Sequence, residues 1–331
     1  MLLRRPRKSQ IEVTLEAEPK AVPPCPRELP AELLRRLEFR VLKRLDGFLF
    51  GDYTGFFYGP SLDLAEVREY QPGDEVRRID WNVTARTGKI HIRQYREEKE
   101  VTVWLVVDLS ASMRFGTRRV LKAEEALEFV GTAAAIVGRH GDKVGVVGFS
   151  EAGMRAVPPG TGRRQALRIL NALYGLMAQP QARVDGQANA QPASLEHALE
   201  HVAKTLKRRA LLFVVSDFPN THPDQQPPWA QALRRLAYRH DVVAVHIFDP
   251  AEKELPQAGE LRLRDPESGE EIWIDTGDPR VRRAYTALVQ ARETLLERTL
   301  RAAQVDVLNL NTAQEIVEPL MKFALRRRGR R

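Results

Sequence analysis

Residues 101–116 read VTVWLVVDLSASMRFG. The Val- and Leu-rich run has the length and composition of a buried strand, and it ends in one acid and two hydroxyls on alternate residues: Asp108, Ser110 and Ser112. Similar runs follow: DKVGVVGFS (142–150), ALLFVVSDF (210–218), DVVAVHIFDP (241–250) and VDVLNLNT (305–312). Between them lie apolar patterns of helical period near 119–139, 163–177, 193–207, 228–239, 279–304 and 313–326. Near-continuous apolar strands alternating with amphipathic helices predict a doubly wound α/β domain over 100–326, its mostly parallel sheet covered on both faces. Two stretches interrupt the alternation: a polar loop at 178–192 and an inserted hairpin at 254–276 that turns at Glu267–Gly269.

In such a sheet, ligands collect beyond the carboxyl ends of the strands. Asp108, Ser110 and Ser112 stand at one strand end, and Ser216 and Asp217 at another. If those strands are neighbours, both carboxylates face one crevice. Carboxylates and hydroxyls without thiolate or imidazole make a hard, all-oxygen donor set, suited to Mg²⁺, Mn²⁺ or Ca²⁺ rather than zinc. Asp and Ser at a strand end also serve as plain helix caps, and D-x-S-x-S alone does not separate the two roles. The second strand-terminal acid favours metal.

D-x-S-x-S after an apolar strand, answered by a later strand-terminal Asp, resembles the metal-ion-dependent adhesion site of von Willebrand factor A domains. The resemblance implies a divalent cation, Mg²⁺ above all, held by Asp108, Ser110, Ser112 and Asp217, with one position open to a partner's carboxylate. The threonine of that family's site falls here on Ala193, so Ser194 is the substitute ligand if the loop shifts by one residue.

Upstream, residues 1–27 carry charge and proline without periodicity, which predicts a disordered lead. A helical pattern starts at Pro30, with Leu33, Leu34, Leu37, Val41, Leu42 and Leu45 on one face, and GFLFGDYTGFFYGP (47–60) follows it. Residues 28–99 then read as a small N-terminal module. Within it, VREYQPGDEVRRIDWNVTARTGKIHIRQYREE (67–98) has a turn at Gln71-Pro72-Gly73-Asp74 and a crowd of opposite charges. Arg68, Glu69, Asp74, Glu75, Arg77, Arg78, Asp80 and Arg86 surround Trp81, which is expected in the core. They predict an ion-pair network that either faces a partner or locks the module onto the sheet domain.

REYQPGDEVRRIDW and ARTGK, with DLSASM, SDF and the 249–271 hairpin segment, resemble the domain-of-unknown-function 58 family over roughly residues 30 to 325. That family joins such a block to a von Willebrand A-like domain. The resemblance implies a partner, a MoxR-type AAA+ ATPase, and a chaperone-like role in remodelling or metal-loading an unknown client protein. Many family members carry two membrane helices; no stretch here approaches the roughly 18 uncharged apolar residues such a helix needs.

Other chemistry finds little support. PPGTGRRQ (158–165) lacks the spacing and lysine of a phosphate-binding loop, and no G-x-S-x-G is present. HALEH (197–201) matches H-x-x-E-H, but Leu195, Leu199, Val202 and Leu206 define the buried face and turn both histidines to solvent. The single thiol, Cys25, excludes an internal disulfide and a multi-cysteine metal site, and fits a cytoplasmic setting. MLLRRPRKSQ has no apolar core behind its charges, unlike a secretory signal. Arg4, Arg5, Arg7 and Lys8 with Arg326, Arg327, Arg328, Arg330 and Arg331 carry nine positive charges, which exceeds the formal net charge of +8 and leaves the body at −1. The excess sits in a lead and a basic tail (327–331), so no specific nucleic-acid partner is expected. The reading is a metal-dependent protein-binding adaptor and not an enzyme; the alternative is a divalent-metal-dependent phosphoester hydrolase.

Overall fold

The structure, a computed structural model, describes residues 28–42, 66–72, 74, 76, 79–94, 102–178, 193–219, 225–264 and 271–328. The lead 1–27, segment 47–60, loop residues 179–192, hairpin turn 267–269, Arg77, Arg78 and the last three residues lie outside the described residues. The first elements are α1 (Pro30–Leu37), β1 (Glu66–Glu69), α2 (Trp81–Thr87) and β2 (His91–Gln94). There follow β3 (Thr102–Asp108), α3 (Lys122–Arg139), β4 (Lys143–Ser150), β5 (Gly153–Gly160), α4 (Gly162–Met177), α5 (Leu195–Thr205), β6 (Leu211–Ser216) and α6 (Trp229–Arg239). The chain continues through β7 (Asp241–Phe248), β8 (Glu260–Arg264), β9 (Glu271–Asp275), α7 (Pro279–Ala302), β10 (Asp306–Asn311) and α8 (Val317–Arg328).

The main sheet has six strands in the order β10-β7-β6-β3-β4-β5, all parallel to their neighbours except β5, which runs antiparallel to β4. Side chains alternate between two cores, as a pleated strand demands. Val103, Leu105 and Val107 of β3, with Phe213 and Val215 of β6, pack under α3, α4 and α8. Trp104 and Val106, with Leu212 and Val214, pack under α5, α6 and the end of α7. This is the doubly wound architecture expected. The chain starts the sheet at β3, winds outward to β5, then returns to the other side of β3 as β6. The β3–β6 seam is therefore the topological switch point where such sheets open a crevice.

Sequence periodicity misses β5, because MRAVPPG places two prolines in the strand. Only an edge strand tolerates missing ladder donors, and β5 is the edge. Helix α1 buries Leu33, Leu34 and Leu37 in the same core as α3 and α4, so this part of the 28–99 segment is packed on the sheet domain. Gly131 of α3 permits this contact: a Cβ there would stand 2.6 Å from Leu37 Cδ1.

Two small antiparallel pairs complete the structure, β1–β2 and the expected hairpin β8–β9. The turn before α2 forms as expected, with Asp74 N–H donating to Gln71 O at 3.0 Å. Trp81 departs from expectation: it opens the short α2, a helix without buried residues, and is 69% exposed. Helix α8 runs to Arg328, and the buried Arg327 guanidinium pairs with Asp241 and Asp306.

Candidate functional site

Asp108 ends β3 and is 1% exposed. Its Oδ1 accepts from Ser110 N at 2.9 Å, and its Oδ2 accepts from the Ser216 hydroxyl at 2.6 Å, so the ends of β3 and β6 are tied together. Burial first, then the charge of Asp217, push the Asp108 carboxyl well above its ordinary range. The Ser110 and Ser112 hydroxyls stand 3.2 Å apart. Asp108, Ser110, Ser112 and Ser216 are thus linked at the switch point.

Asp217 follows β6. It is held by a sharp local bend: Phe218 has φ +52°, a left-handed value unusual for a bulky side chain. Phe218 N–H donates to Ser216 Oγ at 2.9 Å, and its ring packs edge-on against Trp229 at 5.2 Å, which fixes the bend. Strain of this kind concentrates at sites whose surroundings hold it in place.

The unexpected member is Lys122, the first residue of α3. Its side chain is almost fully buried, and its ammonium lies 2.7 Å from both Asp217 Oδ2 and Glu252 Oε1. A cation at a helix N-terminus opposes the helix dipole, so the two carboxylates are what hold it there. Glu252 is itself anchored: its Oε2 accepts from Asp249 N at 3.0 Å and its carbonyl accepts from Tyr285 OH at 2.9 Å. No local sequence pattern marks Lys122 or Glu252, which lie 95 and 130 residues from their contacts.

Three strand-end acids allow a test of fit for a cation. Asp249 after β7 accepts from Thr117 N and Oγ1, Thr312 Oγ1 and Ala251 N at 2.6–2.9 Å, and is a structural brace. Both oxygens of Asp108 already accept hydrogen bonds. Asp217 differs, because its Oδ1 is buried with no hydrogen-bond partner among the described residues. A buried acceptor left open requires a ligand or a cost of a few kcal/mol. Asp217 and Ser112 share the wall of a cleft of about 420 Å³ with Lys122, Trp229 and Tyr285. Among the described residues no three His, Cys, Asp or Glu side chains group as metal ligands, so a cation here depends on the serine hydroxyls. Two carboxylates and two hydroxyls fit a hard divalent ion.

The remaining expected residues lie elsewhere. Ser194 Oγ caps α5, accepting from His197 N at 3.3 Å and lying 2.9 Å from His197 Nδ1; none of its described hydrogen bonds reaches Asp108. Ala193 packs against the core beneath α5. His197 and His201 are exposed, as the periodicity requires. Arg68 pairs with both Asp74 oxygens at 2.7 and 2.8 Å, Glu69 pairs with Lys89, and Asp80 caps α2; Arg86 is exposed. Of these, Asp74 and Asp80 accept from nearby backbone N–H groups of the turn and of α2.

Residues 66–295 match the family described as Protein of unknown function DUF58. The chain belongs to the DUF58 family. Uncharacterized proteins of Mycobacterium tuberculosis and Mycobacterium bovis are 36% identical over 302 residues, covering 90% of this chain and 90% of theirs. An aerotolerance-related membrane protein from Bacteroides fragilis superposes with a TM-score of 0.43 at 15% identity, over 70% of this chain and 100% of that one. The VWA domain of SpRpn10 gives 0.37 at 10% identity, over 67% and 94%. Among the described residues of this DUF58 protein, no helix is long and apolar enough to cross a membrane.

Proposed function

We propose that this DUF58 protein is a protein-binding adaptor that meets its partner through a divalent cation, Mg²⁺ in the first place, held by Asp108, Ser110, Ser112 and Asp217. The observation that carries the reading is the buried Oδ1 of Asp217, without a hydrogen-bond partner among the described residues, beside the cleft that Asp217 shares with Ser112. When bound, the cation supplies one open position for a foreign carboxylate. The residues of this chain do the rest: Ser216 and the Ser110 amide orient Asp108, and the Phe218 bend aims Asp217. The partner class follows from the family resemblance, a MoxR-type AAA+ ATPase acting with this chain on a client protein in the cytoplasm.

Affinity capture from native lysate tests this, comparing wild type, Asp108→Ala and Ser112→Ala, each with Mg²⁺ or with EDTA. Ser112 is half-buried, and among the described residues its hydroxyl bonds that of Ser110, so its loss is expected to leave the fold intact. The expected result is an AAA+ ATPase retained by wild type with Mg²⁺ and lost in the other conditions. Retention in every condition sinks the reading. The alternative reading, metal-dependent phosphoester hydrolysis, would use the same cleft. Turnover of generic phosphoesters with Mg²⁺ or Mn²⁺ that disappears in Asp217→Ala would replace binding by catalysis.

A further inference from the structure

We infer that Lys122 is a built-in occupant of the cation site, and that a divalent ion binds only by loosening the lysine's hold on Asp217. The inference rests on the metal reading above and adds what sets the affinity. One carboxylate has two roles: Asp217 Oδ2 meets the Lys122 ammonium at 2.7 Å, while Oδ1 is buried and has no hydrogen-bond partner among the described residues. An ion bound to Oδ1 therefore stands within a few ångströms of the ammonium. In a buried setting, like charges at that separation oppose each other strongly. Lys122 has somewhere to stay, because Glu252 accepts its other hydrogen bond at 2.7 Å and is fixed by Asp249 and Tyr285. The ammonium thus has a resting partner on one side and an exchangeable partner on the other. Without metal it holds Asp217 in the binding geometry at the cost of affinity. With metal it shifts its weight to Glu252. Ser112, Lys122, Asp217 and Glu252 line one cleft, so the exchange needs no change of fold.

The test uses the full chain and Mn²⁺ or Mg²⁺ as the probe. Lys122→Met keeps the aliphatic stem and removes the charge. Calorimetric titration is expected to show Mn²⁺ bound at least about tenfold more tightly by Lys122→Met than by wild type, and by Lys122→Arg no more tightly than wild type. A second measurement needs no variant. In ¹⁵N-lysine-labelled wild type the buried ammonium gives a protected side-chain NMR signal, and Mg²⁺ is expected to shift or broaden it with the midpoint of binding. Metal bound by wild type with the Lys122 signal unmoved, or with unchanged affinity in Lys122→Met, overturns this inference and leaves the metal site standing. No metal binding in either protein overturns both.

Discussion

Two lysine–carboxylate pairs in this molecule have the same length and different physics. Lys122–Asp217 and Lys89–Glu69 are both 2.7 Å ion pairs. The first pair is 2% and 13% exposed at the side chains, the second 68% and 59%. In water the attraction is screened and offset by the entropy of two long side chains, so the exposed pair contributes little. Inside, each charge has already lost its hydration, and removing one strands the other. The family-specific segment around β1 and β2 is richer in charge, yet the buried lysine carries more consequence.

The largest expected effect follows from that contrast. Lys122→Ala should lose about 3–5 kcal/mol of stability, because Asp217 and Glu252 are left facing each other unneutralised. Lys89→Ala should leave the urea midpoint where it is. Equal midpoints for the two variants would break the comparison, and would mean that water reaches Lys122.

A third charge cluster lies between these extremes and sharpens the argument through pH. Arg36 pairs with Glu28 and Glu128, while Arg119 pairs with Glu125 and Glu128, joining α1 to α3. Glu125 is fully buried, and burial outweighs Arg119, so its carboxyl is pushed up to about 8 from an ordinary value near 4.5. The native state then keeps a proton that the unfolded chain releases between those two values. Stability should fall as pH rises through that window and level off above about 8. Glu125→Gln should flatten the profile, removing a decline of up to about 5 kcal/mol across that window. An unchanged slope between pH 5 and 8 would show that Arg119 keeps Glu125 ionised.

How much of this was legible follows from the range of the interactions. The sheet was readable because each strand announces itself locally, as VTVWLVVD and LLFVVSD do, and a strand-terminal acid is visible without knowing its neighbours. Asp108 and Asp217 were found that way, and Asp249 ends β7 in the same fashion but turns out to be a brace. Strand β5 was missed because its prolines are permitted only by an edge position that depends on the finished sheet. Lys122 and Glu252 were missed for a stronger reason. A lysine at the start of a helix looks like a solvated charge, and only the fold brings two carboxylates to it.

Trp81 gives the smallest expected effect and the last check on the exposed side of the comparison. A tryptophan within a charged block invites a core assignment, since a buried indole contributes heavily to packing. Here the helix it opens is held by its cap: Asp80 is buried and accepts from Asn82 N at 3.0 Å and Val83 N at 3.2 Å. Asp80→Ala should therefore cost about 1 kcal/mol, the usual loss for an N-cap. Trp81→Ala should change stability by no more than about 0.5 kcal/mol, as for other exposed positions. A larger loss from Trp81 than from Asp80 in thermal unfolding would place the indole in contact with the body of the protein. The segment would then be a packed part of the core and not a surface held by caps and ion pairs.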